Sequence, residues 1–171
     1  AMGKCSEIRK VLPDFRVSIN ISQVQASKSD VIQDISAEMK RAGLPLEALI
    51  VELTESDLLE QNINEKHFLT ELKRMGISLA LDDFGTGYSA LSYLKRFPFD
   101  GIKLDKSFVF AMEESENAKI IVENIIGLGK AYSLAITAEG VETAEQLACL
   151  RYRGCDEIQG YWVAKPMPAR R

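Results

Sequence analysis

A short apolar run followed by a stretch of helical spacing recurs from residue 16 to the end of this 171-residue chain, and that alternation limits the possible folds more than any other feature. Residues 16–22 alternate as a strand does, and Val31, Ile32, Ile35 and Met39 then follow at helix spacing up to a glycine stop at Gly43. Residues 49–53 form a second expected strand, with Phe68, Leu69, Leu72 and Met75 on the helix behind it and Gly76 as the stop. A third strand is expected over 77–81, a short helix over 90–97 ended by Pro98, and a fourth strand over 101–104. Ile120, Ile121, Ile125 and Leu128 mark a helix over 117–132, a fifth strand spans 134–138, a helix covers 143–153 with Gly154 after it, and 157–159 is a short sixth strand. Strands joined by helical crossovers run parallel, so the fold is α/β, either an open doubly wound sheet or a barrel.

Polar residues decide between the two. Asn20, Glu52, Asp82, Lys103, Glu139 and Gln159 each lie within or at the end of an expected strand, 20 to 36 residues apart, the length of one strand-helix unit. A barrel gathers the ends of successive parallel strands on one face, whereas an open sheet strings them along an edge. Convergence of an amide, several carboxylates, a lysine and a glutamine favours the barrel, with metal-assisted chemistry at its mouth.

The doublet Asp82-Asp83 is the sharpest local signal. It closes the apolar run 77–81 and leads into Phe84-Gly85-Thr86-Gly87-Tyr88-Ser89. Neighbours along a strand point to opposite faces, so both acids are expected to reach one site only if the chain leaves the strand at the doublet, a departure that Gly85 and Gly87 allow. Two carboxylates about 4 Å apart repel by roughly 4 kcal/mol at an effective dielectric near 20, and a cation between them resolves this. A solvated turn is the plainer alternative. Carboxylates from Glu52, Asp82, Asp83 and Glu139, with the Asn20 amide oxygen, supply hard ligands for one or two Mg2+ or Mn2+ ions. Two such ions suit displacement at phosphorus, and Lys103 adds a point charge for a phosphate oxygen or the attacking water. An acid at a strand end taken singly is more often hydrogen-bonded structure than ligand, and it is the series at unit spacing that reverses this.

Composition narrows the partners. A formal charge of −4 with scattered basic residues argues against a nucleic-acid backbone. Cys5, Cys149 and Cys155 are odd in number and lack metal-finger spacing, which favours reduced, buried thiols in a cytoplasmic compartment. No apolar run reaches the ~18 residues of a membrane span. Residues 1–3 are expected to be a cloning scar, leaving 4–171 as the C-terminal portion of a single barrel domain. Gly85-Thr86-Gly87 lacks the lysine of a nucleotide P-loop, and His67 stands alone on a helix as a solvated residue. Tyr161-Trp162 offers rings for stacking on a base or for packing on the last helix. Glu142 precedes Thr143 at a helix N-terminus, where the helix dipole alone accounts for an acid.

These residues resemble the EAL family, bacterial cyclic-di-GMP phosphodiesterases built on a TIM-like (β/α)8 barrel with one reversed strand. The resemblance runs from about Val17 to Pro168, through Ser18-Ile19-Asn20-Ile21-Ser22, Glu52-Leu53-Thr54-Glu55-Ser56, Asp82-Asp83-Phe84-Gly85-Thr86-Gly87-Tyr88-Ser89, Lys103-Leu104-Asp105-Lys106-Ser107-Phe108, Ala138-Glu139-Gly140-Val141-Glu142-Thr143 and Gln159-Gly160-Tyr161. It implies that Asn20, Glu52, Asp82 and Asp83 ligate metal, that Lys103 assists the water, and that Glu139 and Gln159 complete the metal-and-water site. It further implies that Glu55 and Ser89 brace the loop after Asp83, a loop the family also links to dimerisation, and that Glu142 and Tyr161 contact a guanine.

The family's name motif should lie on a strand upstream of Val17 and is absent. Glu47-Ala48-Leu49 spells the same letters but enters the Glu52 strand from its N-terminal end, away from the mouth. About six of eight strands are therefore expected, in a chain shorter than the ~250 residues typical of the barrel. A barrel without its first strands exposes two sheet edges, which predicts self-association as a homodimer or larger species, and loss of a ligand predicts weak hydrolysis. Upstream sensory or GGDEF-type modules are expected in the full-length protein, which is itself cytoplasmic or the cytoplasmic part of a membrane-attached protein. The leading expectation is part of a cyclic-di-GMP phosphodiesterase yielding linear pGpG. A non-catalytic cyclic-di-GMP sensor is the alternative, and an enolase-type metal barrel is disfavoured by Asp-Asp-Phe-Gly-Thr-Gly.

Overall fold

Six parallel strands, hydrogen-bonded in chain order, make one sheet: β1 (Val17–Asn20), β2 (Leu49–Thr54), β3 (Ser78–Phe84), β4 (Gly101–Leu104), β5 (Ala135–Ala138) and β6 (Glu157–Ile158). The computed structural model describes residues 2–26, 30–58, 63–85 and 90–167. Helices α1 (Met2–Arg9), α2 (Gln23–Ala26), α3 (Val31–Arg41), α4 (Ile63–Arg74), α5 (Ala90–Arg96), α6 (Lys106–Glu114), α7 (Glu116–Ala131) and α8 (Ala144–Arg153) accompany the strands. Leu49, Val51 and Leu53 alternate on one face of β2 and are at most 3% exposed, in the same core as Met39, Leu69 and Leu72 of the helical layer. The opposite face is polar, because registers Asn20↔Glu52, Glu52↔Ala80, Ala80↔Gly101 and Lys103↔Thr137 put the chemistry-bearing residues on one side.

That sheet is curved into a half-barrel. Five strand spacings in a flat sheet would separate β1 from β6 by about 24 Å. Arg16 Nη2 nevertheless lies 3.4 Å from Glu157 Oε1, so the foot of β1 and the foot of β6 face each other across the concave side. With β1 and β6 each paired on one edge only, this is an incomplete (β/α) barrel.

Expected helix stops at Gly43, Gly76 and Gly154 coincide with the observed ends of α3, α4 and α8 to within two residues. Thr143 caps α8 through a capping box with Gln146, a buried side chain that also accepts from the Glu142 N–H. Three helices differ from the sequence reading, the short α2 (Gln23–Ala26) among them. Helix α6 was not expected, since only Val109 and Met112 mark its buried stripe; Asp105 starts it by accepting from Ser107 N at 2.9 Å. Helix α1 begins at Met2, which packs on the core beside buried Cys5. Cys149 and Cys155 are only half-buried, so the expectation of three buried thiols holds for Cys5 alone. No helix among the described residues is long and apolar enough to cross a membrane.

The foot of the sheet is held by acids that complete the strand ladder. Asp100 Oδ2 accepts from Leu79 N at 2.8 Å while Asp100 N donates to Leu79 O at 2.8 Å, and Asp156 treats Ile136 in the same way at 2.9 and 3.1 Å. Asp100→Ala leaves the N–H of fully buried Leu79 without its partner, so a loss of about 1–3 kcal/mol is expected in urea unfolding.

Candidate metal centre

Four strands bring four acids and one lysine together at the C-terminal mouth. Lys103, at the inner face of β4, puts Nζ 2.9 Å from Glu52 Oε2 on β2, 3.2 Å from Asp82 Oδ1 on β3 and 2.7 Å from Glu139 Oε1 just past β5. Lys103 and Glu52 are each 7% exposed, so these charges meet largely out of water. Asp82, Asp83 and Glu139 each offer a carboxylate oxygen, all within 4.8 Å of one another. The donors are hard oxygens, and the cluster contains neither thiolate nor imidazole, which suits a hard divalent cation.

The way Asp83 reaches the site corrects the sequence reading. Strand β3 does not end at the doublet but continues through Phe84. Its pairing with β4 is irregular between Leu81 and Phe84, and Asp83 takes a left-handed φ of 53°. This bulge rotates Asp83 onto the face that strict alternation reserves for Asp82, and Asp83 N donates to Asp82 Oδ1 at 3.0 Å. Such a φ is costly for a non-glycine residue and tends to mark functional positions. Gly85 follows at φ 98° with the Phe108 ring where a Cβ would stand, and its N–H donates to Glu55 Oε1 at 2.8 Å. Glu55, 5% exposed, thus anchors the start of the loop, while its Oε2 has no hydrogen-bond partner among the described residues. Ser89 lies outside the described residues.

Electrostatics follow from burial and crowding. Burial pushes the Asp83 carboxyl up, and the negative Asp82 and Asp105 nearby add to it against the pull of Lys103 and Lys106. Glu139 is also raised, mainly by burial, with Lys103 opposing. Burial would lower the Lys103 ammonium, but hydrogen bonds to Glu139 and Glu52 and the charge of Asp82 outweigh it and hold Lys103 well above its ordinary value.

The other expected residues stand at varying remove. Asn20 is exposed and sits in register beside Glu52 on the same sheet face. Gln159, one residue past β6, lines a cavity of about 120 Å3 on the concave side together with Ser18, Glu52, Lys103 and Thr137. Glu142 and Tyr161 are exposed on the segments that follow β5 and β6. The Tyr161 ring carries Lys165 Nζ at 5.2 Å from its centroid, a cation–π contact. His67 is exposed, as expected. Sequence reasoning missed the field of Asp105 and Lys106 on Asp83, although their place directly after the end of the Lys103 strand was a usable signal.

The EAL domain family model matches residues 2–166. The chain belongs to the EAL domain family. It is 39% identical over 155 residues to cyclic di-GMP phosphodiesterase NbdA of Pseudomonas aeruginosa, covering 90% of this chain and 20% of that protein. Among solved structures it matches the EAL domain of Mycobacterium smegmatis DcpA with a TM-score of 0.91 at 36% identity, over 98% of this chain and 76% of that one. It also matches a manganese and cyclic-di-GMP complex of Klebsiella pneumoniae BlrP1 with a TM-score of 0.83 at 29% identity, over 94% of this chain and 42% of that one. The EAL portion here spans roughly a fifth of the curated relatives' length.

Proposed function

We propose that this chain is part of a cyclic-di-GMP phosphodiesterase and carries most of its divalent-metal site. The observation that carries the reading is the meeting of Glu52, Asp82 and Glu139, from three strands, around one buried lysine, with Asp83 beside them. Family membership and the relatives' names support the substrate. Glu52, Asp82 and Asp83, with Asn20, would hold Mg2+ or Mn2+, and such ions supply an acidified water and neutralise phosphoryl charge. Lys103 assists that water, Glu139 and Gln159 complete the metal-and-water site, Glu142 and Tyr161 take a guanine, and Glu55 with Ser89 keeps the loop after Asp83 in place. In the complete domain one phosphodiester bond is hydrolysed, giving linear pGpG, and this partial chain is expected to turn over weakly.

Further domains of a sensory or GGDEF type would set when the site works, and three cysteines fit a cytoplasmic setting. Self-association is supported by the two open edges and by the exposure of Val11, Leu12, Tyr161 and Trp162 close to them in sequence. The test is incubation with cyclic di-GMP and Mn2+, followed by chromatography for pGpG and calorimetry for binding. Metal-dependent pGpG formation supports the enzyme. Binding that is indifferent to metal and yields no product supports the sensor instead.

Metal affinity is expected to fall on acidification. Protons compete for the same oxygens, and since Asp83 and Glu139 are both raised, the loss sets in at a higher pH than ordinary carboxylates would give. Mn2+ titrations across the acidic range check this.

A further inference from the structure

Lys103 makes contacts that match the capacity of its head group. An ammonium has three N–H donors, and Glu52, Glu139 and Asp82 surround it at 2.9, 2.7 and 3.2 Å. Two of those acids, Asp82 and Glu139, are also members of the trio whose oxygens lie within 4.8 Å of one another. The same two carboxylates therefore serve a tethered cation and the place best suited to a diffusible one.

We propose, resting on the reading that these acids bind a divalent ion, that Lys103 is an internal counter-ion that competes with that ion for the Asp82 and Glu139 oxygens. The ammonium keeps acids from three strands gathered at the mouth, where like charges would otherwise force the strand ends apart. Its attachment through β4 makes this screening permanent but leaves it weak against a doubly charged ion, which binds oxygen at about 2.1 Å. Loading then draws carboxylate oxygens away from Nζ. A lysine whose donors all face acids has none left for a water or a phosphate, so the same event frees Lys103 for the work proposed above. Lys103 is in this respect a positioning residue for the ligands before it is a partner of the reactants.

The test compares wild type, Lys103→Met and Lys103→Arg at one pH and ionic strength, by Mn2+ titration and by thermal unfolding in EDTA. Lys103→Met is expected to bind Mn2+ at least tenfold more tightly than wild type, to unfold at a lower temperature in EDTA, and to show a larger rise in unfolding temperature when Mn2+ is added. Lys103→Arg keeps the charge and gains no affinity. A merely structural lysine would lower the unfolding temperature without tightening the metal. Equal or weaker Mn2+ binding by Lys103→Met overturns the competition while leaving the metal reading intact, whereas a wild-type chain that binds no Mn2+ overturns both. Should Lys103→Met fail to fold, 15N-lysine-labelled wild type gives the answer: the Lys103 ammonium resonance shifts on saturation with Mg2+, and a resonance unmoved at saturation overturns the proposal.

Discussion

Replacing Asp82 with asparagine is expected to weaken Mn2+ binding by more than ~100-fold, beyond the range seen when only a residue supporting a ligand is lost. Asp82 is singular in belonging to every part of the cluster. It contacts Lys103 Nζ at 3.2 Å, it accepts from Asp83 N at 3.0 Å, and it shares the three-acid group with Asp83 and Glu139. Neutralising it removes a donor oxygen's charge and also loosens the bulge that turns Asp83 inward. The fold should survive, because Asp82 lies on the polar concave face and the packing of β3 rests on Leu79, Leu81 and Phe84. Far-UV circular dichroism would then be unchanged while calorimetry shows the metal lost. Glu47→Gln is the matched control: that acid sits in the turn before β2, beside Gly76 at the opposite end of the sheet, and its neutralisation should leave Mn2+ affinity as in wild type. An Asp82→Asn chain that titrates like wild type would remove the basis of the proposed site.

Strand ends were legible in the sequence because burial imposes a period on them. Leu49, Val51 and Leu53 had to be apolar against the helices, so Glu52 stood out as a charge on the other face, and the same logic exposed Asp82 and Lys103. The hub role of Lys103 was not legible, since the barrel reading orders the strands but does not say that Glu52, Asp82 and Glu139 all come within 3.2 Å of one ammonium. Nor was the Arg16–Glu157 pair, whose members are 141 residues apart and meet only because the sheet curls. The bulge at Asp83 escaped for a different reason. A glycine nearby invited the inference that the chain turns first at the glycine, yet the aspartate itself already takes a positive φ, ahead of that of Gly85, and the strand goes on through Phe84. Helix α6 escaped because its buried stripe is two residues long, too little for a period to show.

Gly160→Ala is expected to cost about 3 kcal/mol or more, the largest stability loss anticipated here for so small a change. A Cβ on Gly160 would stand 2.2 Å from the Val141 carbonyl oxygen and 2.3 Å from its nitrogen, distances no side chain can keep against backbone. The crowding is the product of a clamp: Val141 N donates to Gln159 O at 3.1 Å and Trp162 N donates to Val141 O at 2.9 Å, so the turn after β6 is tied on both sides of Gly160 to the loop between β5 and α8. An added methyl must open that clamp. Two backbone hydrogen bonds at about 1 kcal/mol each are then at risk, together with the burial of Val141, which is 0% exposed and worth about 1.5–3 kcal/mol when fully covered. Because Gln159 precedes the glycine and Glu139 lies two residues before Val141, the strain falls on both flanks of the candidate site, and Mn2+ affinity should drop with the urea midpoint. Gly127→Ala gives the opposite sign. Gly127 lies inside α7 with nothing within 4 Å of its would-be Cβ, so alanine there should stabilise by up to about 1 kcal/mol through helix propensity alone. If the two substitutions shifted the urea midpoint alike, the clamp around Val141 would not be holding the mouth of the half-barrel.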